Sequence, residues 1–91
     1  MSRLDDTGIT QALGQTPGWE RAGGEIRRTY RLKDFREALA FVNRVGALAE
    51  DAGHHPDIDI RYSAVTLALS THSAGGLTAK DFELARAIDR G

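Results

Sequence analysis

At 91 residues the chain has room for one small domain, 1–91, with a single core. A domain this size buries roughly 60–65% of the surface its unfolded chain exposes, so self-association would add to its stability. It is 41% hydrophobic and 27% charged with a net charge of −1, which excludes the clustered basic excess of a protein that tracks phosphates and argues against direct nucleic-acid binding. The absence of cysteine excludes a disulfide framework and a thiolate metal site. The start, "MSRLDDTGIT", lacks an apolar signal run and no window is long enough to span a bilayer. The expectation is a soluble, cytoplasmic protein with no membrane partner.

In chain order, Leu4, Ile9 and Leu13 suggest a short helix within residues 4–16. Pro17-Gly18 supplies a turn, and Trp19 opens a short strand. Gly23-Gly24 can adopt the positive φ of a hairpin turn. The run "EIRRTYRL" then alternates, with Ile26, Tyr30 and Leu32 on one face. Arg28 breaks that face and is expected near an edge or reaching outward. The segment "KDFREALAFVNRVGALAEDAG" gives the strongest helix signal. Asp34 and Glu37 have capping-box spacing, positions 35, 38, 39, 42, 45, 49 and 52 recur at helical intervals, and Phe41 and Leu48 broaden the apolar face. Gly53 stands where a left-handed cap belongs.

Beyond "HHP", Ile58, Ile60 and Tyr62 alternate with Asp57, Asp59 and Arg61, and then Val65, Leu67 and Leu69 become the apolar set. A strand cannot change its buried face without a break, so a tight turn is expected at Ser63-Ala64. Thr78 and Asp81 cap a last helix marked by Leu84, Ala85 and Ile88. The order (α)-β-β-α-β-β-α predicts an α+β fold: a four-stranded antiparallel sheet with helices packed on one face.

The chain has three histidines, and two of them, His54 and His55, are adjacent in "EDAGHHPDIDIRY". Three imidazoles would suffice to hold zinc. Against a metal, neighbours in an extended segment point to opposite sides, Pro56 favours extended geometry at His55, and no helical His pair is present. The plain alternative is that both merely end the helix, where the dipole and the following proline suit them. That leaves His72 unexplained. It follows the strand "VTLALSTH" and continues the small series Thr66, Ala68, Ser70. If the two loops converge, three imidazoles border one shallow pocket suited to moving protons onto and off a substrate.

The "HHPD" motif, the alternating strand after it and "THSAGGLTAKDFELARAID" resemble the pterin-4a-carbinolamine dehydratases, also known as dimerisation cofactors of a homeodomain transcription factor. The likeness runs from Trp19 to Asp89. It implies removal of water from a 4a-hydroxytetrahydropterin, as released by aromatic amino-acid hydroxylases, to give quinonoid dihydropterin in tetrahydrobiopterin recycling. The elimination needs a base for the proton on the ring nitrogen beside the carbinol carbon and an acid for the departing hydroxyl. It needs no cofactor and no metal, since the pterin is the substrate. The family's catalytic histidines fall on His54, His55 and His72: His54 and His72 as acid and base, His55 positioning the substrate.

Glu50 falls on an active-site glutamate, with a solvated acid on the polar face of the helix as the plain alternative, and Asp81 falls on an aspartate near the site that also has its capping role. Pro56, Asp57, Ile58, Thr71 and Lys80 complete the matching stretch as binding or supporting positions. Ile58 stands where mammalian members have a pocket-lining tryptophan, Lys80 where they have an arginine and Ala74 where they have a cysteine, which implies altered affinity with the acid–base set retained. The resemblance also implies a homo-dimer or homo-tetramer, with an aromatic amino-acid hydroxylase as a functional partner. The rival reading is a non-catalytic protein-binding cofactor or assembly factor on the same fold; two others are a zinc hydrolase and a role in other pterin metabolism.

Overall fold

A computed structural model describes residues 2–90. The elements are α1 (Asp6–Gly14), β1 (Glu20–Ala22), β2 (Glu25–Arg31), α2 (Phe35–Ala52), β3 (Asp57–Arg61), β4 (Ala64–Leu69) and α3 (Ala79–Arg90), with a 3-10 turn at His72–Ala74. The four strands form one antiparallel sheet in the order β1-β2-β4-β3. The second hairpin is therefore turned so that β4 lies centrally and β3 forms an edge. The expected α+β order is what the chain adopts. Among the described residues, no helix is long and apolar enough to cross a membrane.

The local causes are visible at the caps. Asp5 accepts the Gly8 N–H at the start of α1, and Asp34 accepts the Glu37 N–H at 2.9 Å at the start of α2. Gly53 ends α2 in the left-handed region at φ 61°. Its N–H reaches the Glu50 carbonyl while the His54 N–H reaches back to Ala49. This pair of bonds is a Schellman motif, and it fixes the direction in which His54 leaves the helix.

One hydrophobic cluster takes side chains from all three helices, from Trp19, and from β2 and β4. Ile26, Val65, Leu67 and Leu69 are wholly buried there, each worth about 1.5–3 kcal/mol over exposure. Thr29, on β2, is exposed and shares a 2.8 Å hydroxyl bond with Thr66 of β4.

Two expectations need correction. The turn between β3 and β4 lies at Tyr62-Ser63 rather than Ser63-Ala64, with Tyr62 itself at φ 54°. Ile58 then faces Leu67 and Ile60 faces Val65, which restores a common apolar face. The buried stripe of α2 is also rotated. Ala38, Phe41, Val45 and Ala49 are buried, whereas Phe35 and Leu39 remain 47% and 42% exposed. Periodicity located an apolar face, but the sheet beneath is narrow and covers only one side of it. Ile58 and Ile60 lie beyond that cover on the edge strand and are exposed too.

Candidate active site

Three elements meet around Asp81: the end of α2, the segment after β4, and the first turn of α3. Asp81 is fully buried, and its Oδ1 lies 2.5 Å from His54 Nε2. Its Oδ2 accepts the Thr78 backbone N–H at 2.9 Å and the Thr71 hydroxyl at 2.8 Å. Thr78 Oγ1 in turn accepts the Lys80 N–H and lies 2.8 Å from Thr71 Oγ1. Asp81 thus returns to the Thr78 N–H as the capping-box spacing predicts, while the Thr78 hydroxyl caps the Lys80 N–H instead of that of Asp81.

The donors can be ordered by elimination. Thr71 spends its proton on the carboxylate, so the Thr78 hydroxyl donates to Thr71 and its own oxygen takes the Lys80 N–H. A carboxylate in this setting leaves one acceptor oxygen for the His54 ring and holds that ring in one orientation. Its Nδ1 is then the nitrogen available for exchange. Among the described residues, no buried side-chain nitrogen or oxygen lacks a hydrogen-bond partner. A buried polar network is stable when fully satisfied in this way.

His54 is itself only 11% exposed. His72 directly follows Thr71 and opens the 3-10 turn, where it stands exposed. Thr71 is pinned at both backbone groups: its N–H donates to Gly76, and its carbonyl accepts from Ala74 and Gly76. The chain of bonds from the His54 ring through Asp81 to Thr71 therefore ends at the residue bonded to His72. That is the relationship between the two distant histidine motifs.

The other expected residues lie apart from this unit. The His55 ring pairs with Glu50, both largely exposed, so the contact is solvent-screened and contributes little. Pro56 carries the chain from the histidines into β3. Asp57 and Ile58 begin that edge strand opposite Ala68 and Leu67, and the Lys80 side chain is exposed at the start of α3. His72 lines an open depression of about 400 Å³ with Ser70, Gly75, Gly76 and three residues of the first hairpin, Ala22, Gly24 and Glu25. Neither His54 nor His55 lines that depression. Among the described residues, no three His, Asp or Glu side chains are grouped so as to hold a metal ion.

The hairpin residues beside His72 are far from it in sequence and were not anticipated; the direct pairing of β2 with β4, in the Ile26–Leu69 register, sets them next to the end of β4. Thr71, expected as a binding or supporting position, donates its hydroxyl to Asp81 and so links the end of the β4 segment to the first turn of α3.

Comparisons with known proteins identify the family and the fold. The family model for pterin 4 alpha carbinolamine dehydratase matches residues 2–91. A protein of Thermomicrobium roseum, provisionally named a pterin-4-alpha-carbinolamine dehydratase, is 59% identical over 88 residues, covering 97% of this chain and 95% of its own. A transcriptional coactivator/pterin dehydratase from Brucella melitensis superposes with a TM-score of 0.93 at 32% identity, over 98% of this chain and 97% of that one. A pterin dehydratase-like protein identified as a RuBisCO assembly factor in the alpha-carboxysome shares the fold, with a TM-score of 0.64 at 19% identity over 79% and 83% of the two chains. A match along almost the whole length, with a relative this similar, places the chain in the pterin-4a-carbinolamine dehydratase family.

Proposed function

We propose that this one-domain protein dehydrates 4a-hydroxytetrahydropterins to quinonoid dihydropterins and so serves tetrahydrobiopterin recycling. The observation that carries this reading is the His54 ring, held by a buried carboxylate whose network continues to the residue before His72. One histidine removes the proton from the ring nitrogen beside the carbinol carbon. The other protonates the hydroxyl as the C–O bond breaks, and water leaves. Proton transfer by positioned imidazoles suits this chemistry near neutral pH. His55, paired with Glu50 on the exposed side, positions the substrate, and Asp57, Ile58, Pro56 and Lys80 supply its surroundings. No redox cofactor enters the balance, because water is eliminated and no electrons are exchanged with a second molecule.

Self-association belongs to the same reading, as a homo-dimer or homo-tetramer in the cytoplasm. It is supported by the open edge of β3, which carries exposed Ile58 and Ile60, and by Phe35 and Leu39 on α2. An aromatic amino-acid hydroxylase is the enzyme class whose product this activity consumes.

The test is the ultraviolet absorbance change of freshly generated 4a-hydroxytetrahydropterin with and without the purified protein. Acceleration over the uncatalysed rate supports the enzyme. A rate equal to that of buffer would shift the reading to a protein-binding cofactor or assembly factor on the same fold.

A further inference from the structure

A second cleft lies at the other end of the sheet. It opens between the middle of α2, the last turn of α3 and the second half of β2, with a volume of about 710 Å³, and no histidine lines it. Tyr30 and Phe41 form its floor, with ring centroids 4.6 Å apart. Leu32 and Ile88 extend the apolar lining.

Its charges are not balanced. Among the described residues Asp89 is the cleft's one carboxylate, beside the arginines Arg28, Arg44, Arg86 and Arg90, and it is already engaged on both oxygens: Oδ2 accepts the Trp19 indole N–H at 2.8 Å and Arg28 at 3.1 Å, while Oδ1 accepts the Tyr30 hydroxyl. Burial and the neighbouring Asp89 raise the Tyr30 pKa, so its ring adds no second negative charge. Arg44 and Arg86 also face the cleft, each half-buried. Their recorded partners are neutral oxygens: Arg44 donates to the Ile88 carbonyl at 3.0 Å, and Arg86 to Thr16 Oγ1 at 3.2 Å. Among the described residues neither makes an ion pair. Arg44 additionally lies over the Phe41 ring, 5.3 Å from its centroid.

A guanidinium has five donors, and one bond to a neutral oxygen leaves most of them for another acceptor. Two such groups at the rim of an aromatic floor suit an anion whose body is apolar. We propose that this cleft is a binding site for a small aryl carboxylate, with the carboxylate on Arg44 and Arg86 and the ring against Tyr30, Phe41 and Ile88. The site is separate from the histidine network.

The chain's single tryptophan makes the test direct, because its indole N–H bonds Asp89 at the wall of the cleft and gives one indole resonance. Benzoate would be titrated into the ¹⁵N-labelled full chain, alongside benzamide as the uncharged counterpart and inorganic phosphate as an anion without a ring. The expected result is a saturable benzoate-dependent shift of that resonance, at least about tenfold tighter than for benzamide or phosphate, and weakened about tenfold or more by Arg44→Gln and by Arg86→Gln. If Arg44→Gln loses the dispersed spectrum of a folded chain, Arg86→Gln decides. No saturable shift with benzoate would overturn the proposal, including the case in which a second copy of the chain covers the cleft. So would equal binding of benzamide, or binding unchanged in the folded variant.

Discussion

His54 Nε2 lies 2.5 Å from Asp81 Oδ1, and this contact joins the end of α2 to the start of α3 across 27 residues of sequence. Asp81 is able to hold the ring because its other oxygen is already occupied by Thr71 and Thr78. A helix-capping carboxylate is thus also the group that orients the candidate acid–base histidine.

Asp81→Asn separates the two roles. The amide keeps one acceptor oxygen but presents an N–H₂ group on its other side, so either the His54 ring or both Thr71 and Thr78 lose their acceptor. The expected cost is about 1–3 kcal/mol of stability and roughly a hundredfold in dehydration rate. Nitrogen NMR of the His54 ring should show the tautomer changed in a folded protein. Glu50→Gln, which alters only the exposed His55 pair, should change stability far less. Equal effects of the two substitutions would contradict the assignment.

Gly53→Ala tests the cap. Its φ of 61° admits an alanine only with strain, at about 1–2 kcal/mol, although a Cβ there meets nothing within 4 Å. Urea unfolding should show that loss, and activity should fall with it if the Schellman turn sets the His54 direction.

Alkaline stability should depend on Tyr30. Its pKa is raised by burial first and by the Asp89 hydrogen bond second, so the folded state holds the phenol proton more tightly than the unfolded chain. The associated stability is fully present below the ordinary tyrosine value of about 10 and declines as pH rises above it toward the raised value. Melting temperature between about pH 9 and 11 should therefore fall more steeply for the wild type than for Tyr30→Phe. Parallel curves would contradict the argument.

Ile60→Lys places a charge on the exposed edge strand. If β3 mediates self-association, sedimentation should show a smaller species than the wild type, with an unchanged far-ultraviolet spectrum. An identical size distribution would remove the edge from the interface.

Much of the fold could be read in the sequence because its signals are local. The parity change between Ile60 and Val65 required a hairpin, and Asp34 and Gly53 marked both ends of α2. The exposed state of Phe35 and Leu39 could not be read, because it depends on how much sheet lies under the helix. The same division holds at the candidate site. The histidines were singled out by their scarcity and spacing, and Asp81 by its capping position. The bond between His54 and Asp81 is a tertiary contact that no period records. Arg28 was noticed as a break in an apolar face, but its partners, Asp89 and the Tyr30 ring, come from packing.

The central claim is that His54 moves a proton in a dehydration that needs no metal. The most direct measurement compares dehydration of freshly generated 4a-hydroxytetrahydropterin by the wild type, by His54→Ala and by buffer alone, all with a chelator present. A fast wild type and a variant slower by roughly a hundredfold or more are expected. A wild type no faster than buffer, or a His54→Ala variant as fast as the wild type, would contradict that claim.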